Sequence, residues 1–130
     1  MPNFMSHFEI PGDDPETLVD FYSRLFDWKI EKFPGEMEYW FIQTVPTDDN
    51  GMPTEPGGIN GGLYRRQAAE QRPVNYVTVE SVEMYLARAA QLGAEVAMGK
   101  TAVPGMGWFA QLVDPDNNIF AIWENDPNAA

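Results

Sequence analysis

His7 and Glu9, in the stretch SHFEI, are the pair best suited to move a proton or to hold a polar ligand. They stand two apart, so on a strand they point to the same side of the sheet. An imidazole titrates near neutrality, at about 6.5, and serves as a general base when a substrate lies over it. A carboxylate on the same side can orient that ring or act itself, which makes His7 and Glu9 the candidate catalytic residues. The plainer reading of His7 is a hydrogen-bonded wall residue. It is the only histidine of the chain, so a Ser-His-Asp triad would have to use it, and no partner set for one stands in the sequence. There is no cysteine, which removes thiolate nucleophiles, disulfides and Cys-ligated metal sites together.

Other motifs promise less. GGINGG, Gly57 to Gly62, lacks the Lys-Ser/Thr of a phosphate loop and does not lead into a long helix, so its glycines are expected to admit a close backbone approach or a bulge. Arg65 and Arg66 just after it suit either an anion or a solvated face. DPDNN, Asp114 to Asn118, has neither the Gly at the sixth position nor the Glu at the twelfth that a calcium loop needs, and is read as a turn.

The chain that must position these residues has 130 of them, one domain's worth. A hydrophobic fraction of 44% fits an ordinary core. Its net charge of −12, with eight Lys and Arg in all, disfavours nucleic acid and anionic membrane as partners. The first residues, MPNFMSHFEI, carry neither a basic nor an apolar leader region, and no apolar run approaches the ~18 residues of a membrane helix. A cytoplasmic location is the expectation.

The elements come in two copies. WFIQTVPTDDN (40–50) and WFAQLVDPDNN (108–118) agree at Trp, Phe, Gln, Val, Asp and Asn. SHFEI alternates as a half-buried strand, with Phe8 and Ile10 on one side. PGDDP is a turn, with Asp13 or Asp14 able to cap the helix that Pro15 begins. Leu18, Phe21, Tyr22, Leu25 and Phe26 form one apolar stripe on that helix. WKIEKF, EYWFIQTV and INGGLY then read as three strands. In the second copy VNYVTVES is a strand, VEMYLARAAQLG a helix stopped by Gly93, and AEVAMGK, WFAQLV and NIFAIWE are strands. The order strand, helix, strand, strand, strand occurs twice, in modules 3–64 and 73–126 joined by the polar linker 65–72.

The segments HFEIPGDDPETLVDFYSRLFDW, LGAEV and DPDNNIFAIWE make the chain resemble the vicinal-oxygen-chelate group, which includes glyoxalase I, bleomycin-resistance proteins and extradiol dioxygenases. The resemblance implies a single α+β domain over residues 1–130, two tandem βαβββ modules forming a curved mixed sheet around a central cup, with the helices outside. In its metal-dependent members four ligands, usually His and Glu, come from the first and last strands of the two copies. Counted from Asp14, from the Val79–Glu80 pair and from Asp114, those positions fall here on His7, on Val74 (or Asn75) and on Ala121, with Asn60, Gly61 or Gly62 in the remaining strand. Valine and alanine have no lone pair to give. Glu124 lies three residues past Ala121, on the opposite face. No metal or other cofactor is therefore expected.

Alternation from the same positions turns Ala121, Trp123 and Tyr76 toward the cup, with Asn60 and Gly62 at its back. Either the Trp40 and Trp108 pair or the Phe41 and Phe109 pair must join them, and alternation does not decide which; Trp108 is counted among the ligand-binding candidates with Asn60, Gly62, Tyr76, Ala121 and Trp123. The functional expectation is binding of a small aromatic organic molecule without the usual metal. The alternative is a metal-dependent lyase, isomerase or dioxygenase using His7 and Glu9. By the same resemblance the protein is expected to be a homodimer.

Overall fold

A computed structural model describes residues 2–130. Two compact units make up the chain: His7–Pro73, and the segment up to Ser6 together with Val74–Ala130. The early residues are tied into the second unit by Thr78 N–H donating to the Phe4 carbonyl at 3.0 Å, and by the Ser6 and Thr78 hydroxyls 2.6 Å apart.

The elements follow the expected order twice. They are β1 (Met5–Gly12), α1 (Pro15–Phe26), β2 (Lys29–Lys32), β3 (Tyr39–Gln43) and β4 (Gly61–Arg65), then β5 (Val74–Thr78), α2 (Val82–Gln91), β6 (Glu95–Val103), β7 (Gly107–Val113) and β8 (Ile119–Asn125). In the His7–Pro73 unit the strands run β2-β3-β4-β1, with β1 and β4 parallel and the other pairs antiparallel. In the other unit they run β6-β7-β8-β5, with β5 and β8 parallel. The fold is thus α+β, built from two βαβββ units of one topology. No helix among the described residues is long and apolar enough to cross a membrane.

Local chemistry accounts for the helix boundaries. Asp14, rather than Asp13, is the N-cap of α1; its carboxylate accepts from Thr17 N–H and, at 2.7 Å, from the Thr17 hydroxyl, with Pro15 opening the first turn. The helix ends at Asp27, whose φ of 60° is the left-handed conformation an aspartate tolerates. Ser81 caps α2 by accepting from Met84 N–H at 3.1 Å. Gly93, at φ 101°, follows its last turn. DPDNN is the turn expected: the Asp114 carboxylate accepts from the backbone of Asp116 and Asn118, each at 2.9 Å, and Asn117 takes φ 68°.

Each helix covers one face of its own sheet. Under α1, buried Trp40, Ile42 and Leu63 meet Phe8, Ile10, Leu18, Val19, Tyr22, Trp28 and Ile30. Under α2, buried Val79, Val82, Ala110, Leu112 and Ile122 meet Tyr85, Leu86, Ala89, Trp108 and Phe120. Glu124 also lies on this side, its carboxylate accepting from Val82 N–H at 2.9 Å at the start of α2. Such a contact satisfies one of the donors that a helix N-terminus leaves over.

Three carboxylates, those of Asp14, Asp114 and Asp126, make the fold acid-sensitive. Asp14 is held below its ordinary value of 3.8 chiefly by Thr17, Asp114 by Asn118, and Asp126 by the indole N–H of Trp108. A carboxylate with a depressed folded pKa contributes stability that is complete above its ordinary value and is lost as the pH falls through the lowered one. The melting temperature is therefore expected to hold down to about pH 4 and then to fall. In a thermal series from pH 7 to pH 2.5, Asp114→Asn should start lower and fall less steeply than the parent; an unchanged slope would contradict this role.

Candidate functional site

The face of the His7–Pro73 sheet turned away from α1 carries His7, Glu9, Tyr39, Phe41, Gly62 and Tyr64, by alternation against the buried set under the helix. Three of them meet. Tyr39 donates its hydroxyl to Glu9 Oε2 at 2.9 Å, and His7 Nε2 lies 3.2 Å from that same oxygen and 3.1 Å from the Tyr39 hydroxyl. All three side chains are partly buried, and their polar atoms form one triangle. Its chemical capacity is to exchange protons among a phenol, an imidazole and a carboxylate. The neighbouring Tyr64 phenol is pushed above its usual pKa by burial first and by the Glu9 charge second, with Arg66 opposing, and so stays protonated at neutral pH.

Gly62 makes the triangle possible. Were it to carry a Cβ, that atom would lie 1.7 Å from the Tyr39 hydroxyl oxygen and 2.1 Å from the ring carbon bearing it. The ring crosses over the bare backbone of β4 to reach Glu9. Gly58 and Gly61 allow similarly close approaches, to Val45 and to the Phe8 carbonyl. Close approach, rather than phosphate binding, accounts for these glycines of GGINGG.

The corresponding face of the Val74–Ala130 sheet is aromatic. Buried Val74, Tyr76 and Ala121 pack with Phe109 and Trp123. The Tyr76 and Phe109 rings are 6.4 Å apart at 55°, and the Trp123 indole N–H donates to Asn125 at 2.8 Å. Here the small residue has changed strands. Gly107 has no side chain where Trp123 lies, and a Cβ there would be 2.5 Å from the indole. In the first unit a ring on the third strand lies over a glycine of the last; in the second unit a ring on the last strand lies over a glycine of the third.

Pairing and burial together align the two units. Glu9 and Phe41 flank Gly62 as Tyr76 and Gln111 flank Ala121. In that alignment buried Trp40, Ile42 and Leu63 correspond to buried Ala110, Leu112 and Ile122, and His7 corresponds to Val74, each seven residues before its helix cap. Trp40 and Trp108 both turn toward their own helix but stand two residues apart in register.

Three expectations change. Trp108 packs with the α2-side cluster, donates to Asp126 at 3.0 Å and carries the Lys100 ammonium 4.5 Å from its ring centroid; Phe109 takes the other face. Asn60 is engaged in holding the long loop, accepting from Thr44 N–H at 2.9 Å and donating to the Thr47 hydroxyl at 3.1 Å. Arg65 and Arg66 are neither a free anion site nor a loose solvated face. Arg65 binds Glu38 at 2.8 Å and the Asp13 carbonyl at 2.8 Å, while Arg66 binds Asp13 at 3.0 Å and the Gln71 carbonyl. Tyr39 is the participant the sequence reading missed. Its signal was a large residue sharing alternation with Phe41, diagonal to a glycine on the next strand.

The expected ligand positions thus hold an imidazole at His7, an isopropyl group at Val74 and a methyl group at Ala121, with Asn60, Gly61 or Gly62 in the remaining strand. A four-donor His and Glu centre does not fit this set, because Val74 and Ala121 donate nothing and Asn60 is already bonded at both ends. Among the described residues no three His, Asp or Glu side chains gather where they could hold a metal ion.

Comparison with known proteins agrees with this architecture. The chain matches the family model of the glyoxalase-like domain over residues 8–123. No curated protein matches it by sequence. Among solved structures, it is similar to a glyoxalase/bleomycin resistance protein/dioxygenase superfamily member from Vibrio splendidus 12B01 (TM-score 0.65, 12% identity, covering 95% of this chain and 100% of that one). It is also similar to methylmalonyl-CoA epimerase from Mycobacterium tuberculosis (0.68, 10%, covering 95% and 88%). A third likeness is to the Mn(II)-bound glyoxalase from Novosphingobium aromaticivorans (0.61, 18%, covering 98% and 40%). At such identities the likeness is one of fold, and different chemistries share it. With its repeated βαβββ units and a family match spanning nearly all of its length, the chain belongs to the glyoxalase-like domain family.

Proposed function

We propose that this protein binds a small, flat organic molecule, neutral or cationic, on the aromatic face formed by Tyr76, Phe109 and Trp123, and does so without the His and Glu metal centre of its metal-dependent relatives. The observation that carries this reading is the replacement of donors by Val74 and Ala121, packed beside Tyr76 and an indole, in one unit. Aromatic surface with few polar groups suits a flat apolar ligand. A cation over an indole face gains about 0.5–2 kcal/mol, and a net charge of −12 concentrates cations rather than anions around the protein.

Trp123 is the natural reporter. A panel of planar cations and neutral aromatics is expected to quench or shift tryptophan emission saturably, with or without added divalent metal, and Trp123→Leu should remove most of that change. Binding only of acidic thiol conjugates, and only when metal is added, would reject the proposal.

The triangle of His7, Glu9 and Tyr39 favours a second reading, in which a bound ligand also exchanges a proton with the protein. The two readings separate on turnover. A pure binding protein returns its ligand unchanged, whereas a catalyst exchanges solvent deuterium into it or converts it.

A further inference from the structure

The triangle of His7, Glu9 and Tyr39 has more contacts than protons unless the imidazole supplies one. Glu9 Oε2 lies 2.9 Å from the Tyr39 hydroxyl and 3.2 Å from His7 Nε2, and that nitrogen lies 3.1 Å from the hydroxyl. A phenol brings one proton to such contacts and an ionised carboxylate brings none. With a lone pair on Nε2, the nitrogen and Oε2 would face each other as two acceptors, each on a partly buried side chain. Two facing acceptors lose water without gaining a hydrogen bond, which costs stability. With a proton on Nε2, the contact becomes a donation to the carboxylate, and Tyr39 donates to the same oxygen.

We infer that Glu9 is a positioning residue: it fixes His7 as the Nε2–H tautomer, so that Nδ1 is the nitrogen that exchanges a proton with a weakly acidic ligand. A neutral imidazole donates through one nitrogen and accepts through the other, and the partner of one of them sets which is which. Committing Nε2 to Glu9 therefore puts the lone pair on Nδ1. In the exchange an O–H or N–H bond of the ligand breaks, the ligand keeps the electron pair, and the proton forms a new bond to Nδ1. The imidazolium so made keeps its Nε2–H on Glu9 in a charge-assisted hydrogen bond, between side chains that are 32% and 17% exposed. The carboxylate orients the ring and then stabilises its charge, as an aspartate does for the histidine of a Ser-His-Asp triad. The tautomer stands on geometry alone; its use in proton exchange rests on the second reading above.

The three residues divide the work accordingly. A proton delivered to Glu9 Oε2 would displace one of the two donors that this oxygen already accepts, so the carboxylate is the weaker proton acceptor of the pair. Tyr39 comes to Oε2 from β3, its ring lying over Gly62 of β4, and holds the carboxylate in place. His7 and Glu9 stand two residues apart on β1 and so share a side.

His7 is the only histidine of the chain, so labelling histidine with nitrogen-15 leaves one imidazole to observe. In the ligand-free parent at about pH 8, above the ordinary imidazole value, proton–nitrogen correlation spectra are expected to show Nε2 protonated and Nδ1 bearing the lone pair. The proton on Nε2 should itself be visible, because the carboxylate holds it against exchange with water. On acidification to about pH 5, the nitrogen signal that moves most should be that of Nδ1. Glu9→Ala should draw the two nitrogen signals together and abolish the Nε2 proton signal, whereas Tyr39→Phe should shift both nitrogens and keep it. The parent spectra decide the tautomer even if Glu9→Ala fails to fold. Deuterium exchange into a ligand tests the proton-exchange reading separately, so either can fail while the other stands. A lone pair on Nε2 in the parent, or a tautomer indifferent to Glu9→Ala in a variant with unchanged circular dichroism, would overturn the inference.

Discussion

Truncating Leu63 to alanine is expected to remove about 2–5 kcal/mol of unfolding free energy, the largest stability effect of any single change considered. Leu63 is fully buried, at 0% exposure. It lies on β4 between Trp40 of β3 and Ile10 of β1, and it belongs to the cluster under α1. Strands held on both sides by ladders cannot close in on the vacated volume, which places the cost toward the upper part of that range. Against a total stability of about 5–15 kcal/mol for a domain of this kind, such a loss leaves the variant marginally folded. Urea denaturation is the check: the midpoint should fall while the slope is kept. A loss under about 1 kcal/mol would mean that the site collapses freely, contrary to its position between paired strands.

Alanine at Gly107 and alanine at Gly62 should produce opposite kinds of damage, although each glycine lies against an aromatic ring. At Gly107 the added carbon would lie 2.3 Å from the Glu124 carbonyl oxygen and 2.5 Å from the Trp123 ring. That carbonyl belongs to β8, which is paired with β7 along its length, so it cannot step aside without opening the ladder. Overpacking of this sort costs about 1–3 kcal/mol, and Trp123 emission should change along with the loss. At Gly62 the first atom met is the Tyr39 hydroxyl, the far end of a side chain that can rotate away. The fold should survive with a nearly unchanged urea midpoint, while the phenol leaves His7 and Glu9. The imidazole resonances of His7 should then move in NMR spectra, and Tyr39→Phe should move them in the same direction. Unperturbed His7 resonances in Gly62→Ala would show that the phenol does not depend on the bare backbone beneath it.

The sequence by itself determined the features that local chemistry controls. Asp14 and Ser81 cap their helices because short polar side chains reach backbone donors two or three residues on. The Asp114 turn closes for the same reason. The repeat of Trp, Phe, Gln and Val marked a strand in each unit, and Trp40 and Trp108 both turn toward their own helix. His7 and Glu9 share a side because a strand has a period of two, and Ala121 and Trp123 share one likewise.

Only the tertiary structure decided which side that was for β3 and β7. A period of two fixes that Trp108 and Phe109 are opposed, but not which of them faces the helix; burial of Ala110 and Leu112 under α2 settles it, and Trp108 goes with them. The equivalence of the strands depended on pairing, which the repeated letters do not encode: Trp40 pairs with Leu63, whereas in the second unit it is Ala110, not Trp108, that pairs with the buried Ile122. Tyr39 entered the site through a contact made 30 residues from Glu9, across a strand whose glycine leaves room for a ring. Such a bond is decided by where two distant strands come to lie, and no residue near either end announces it.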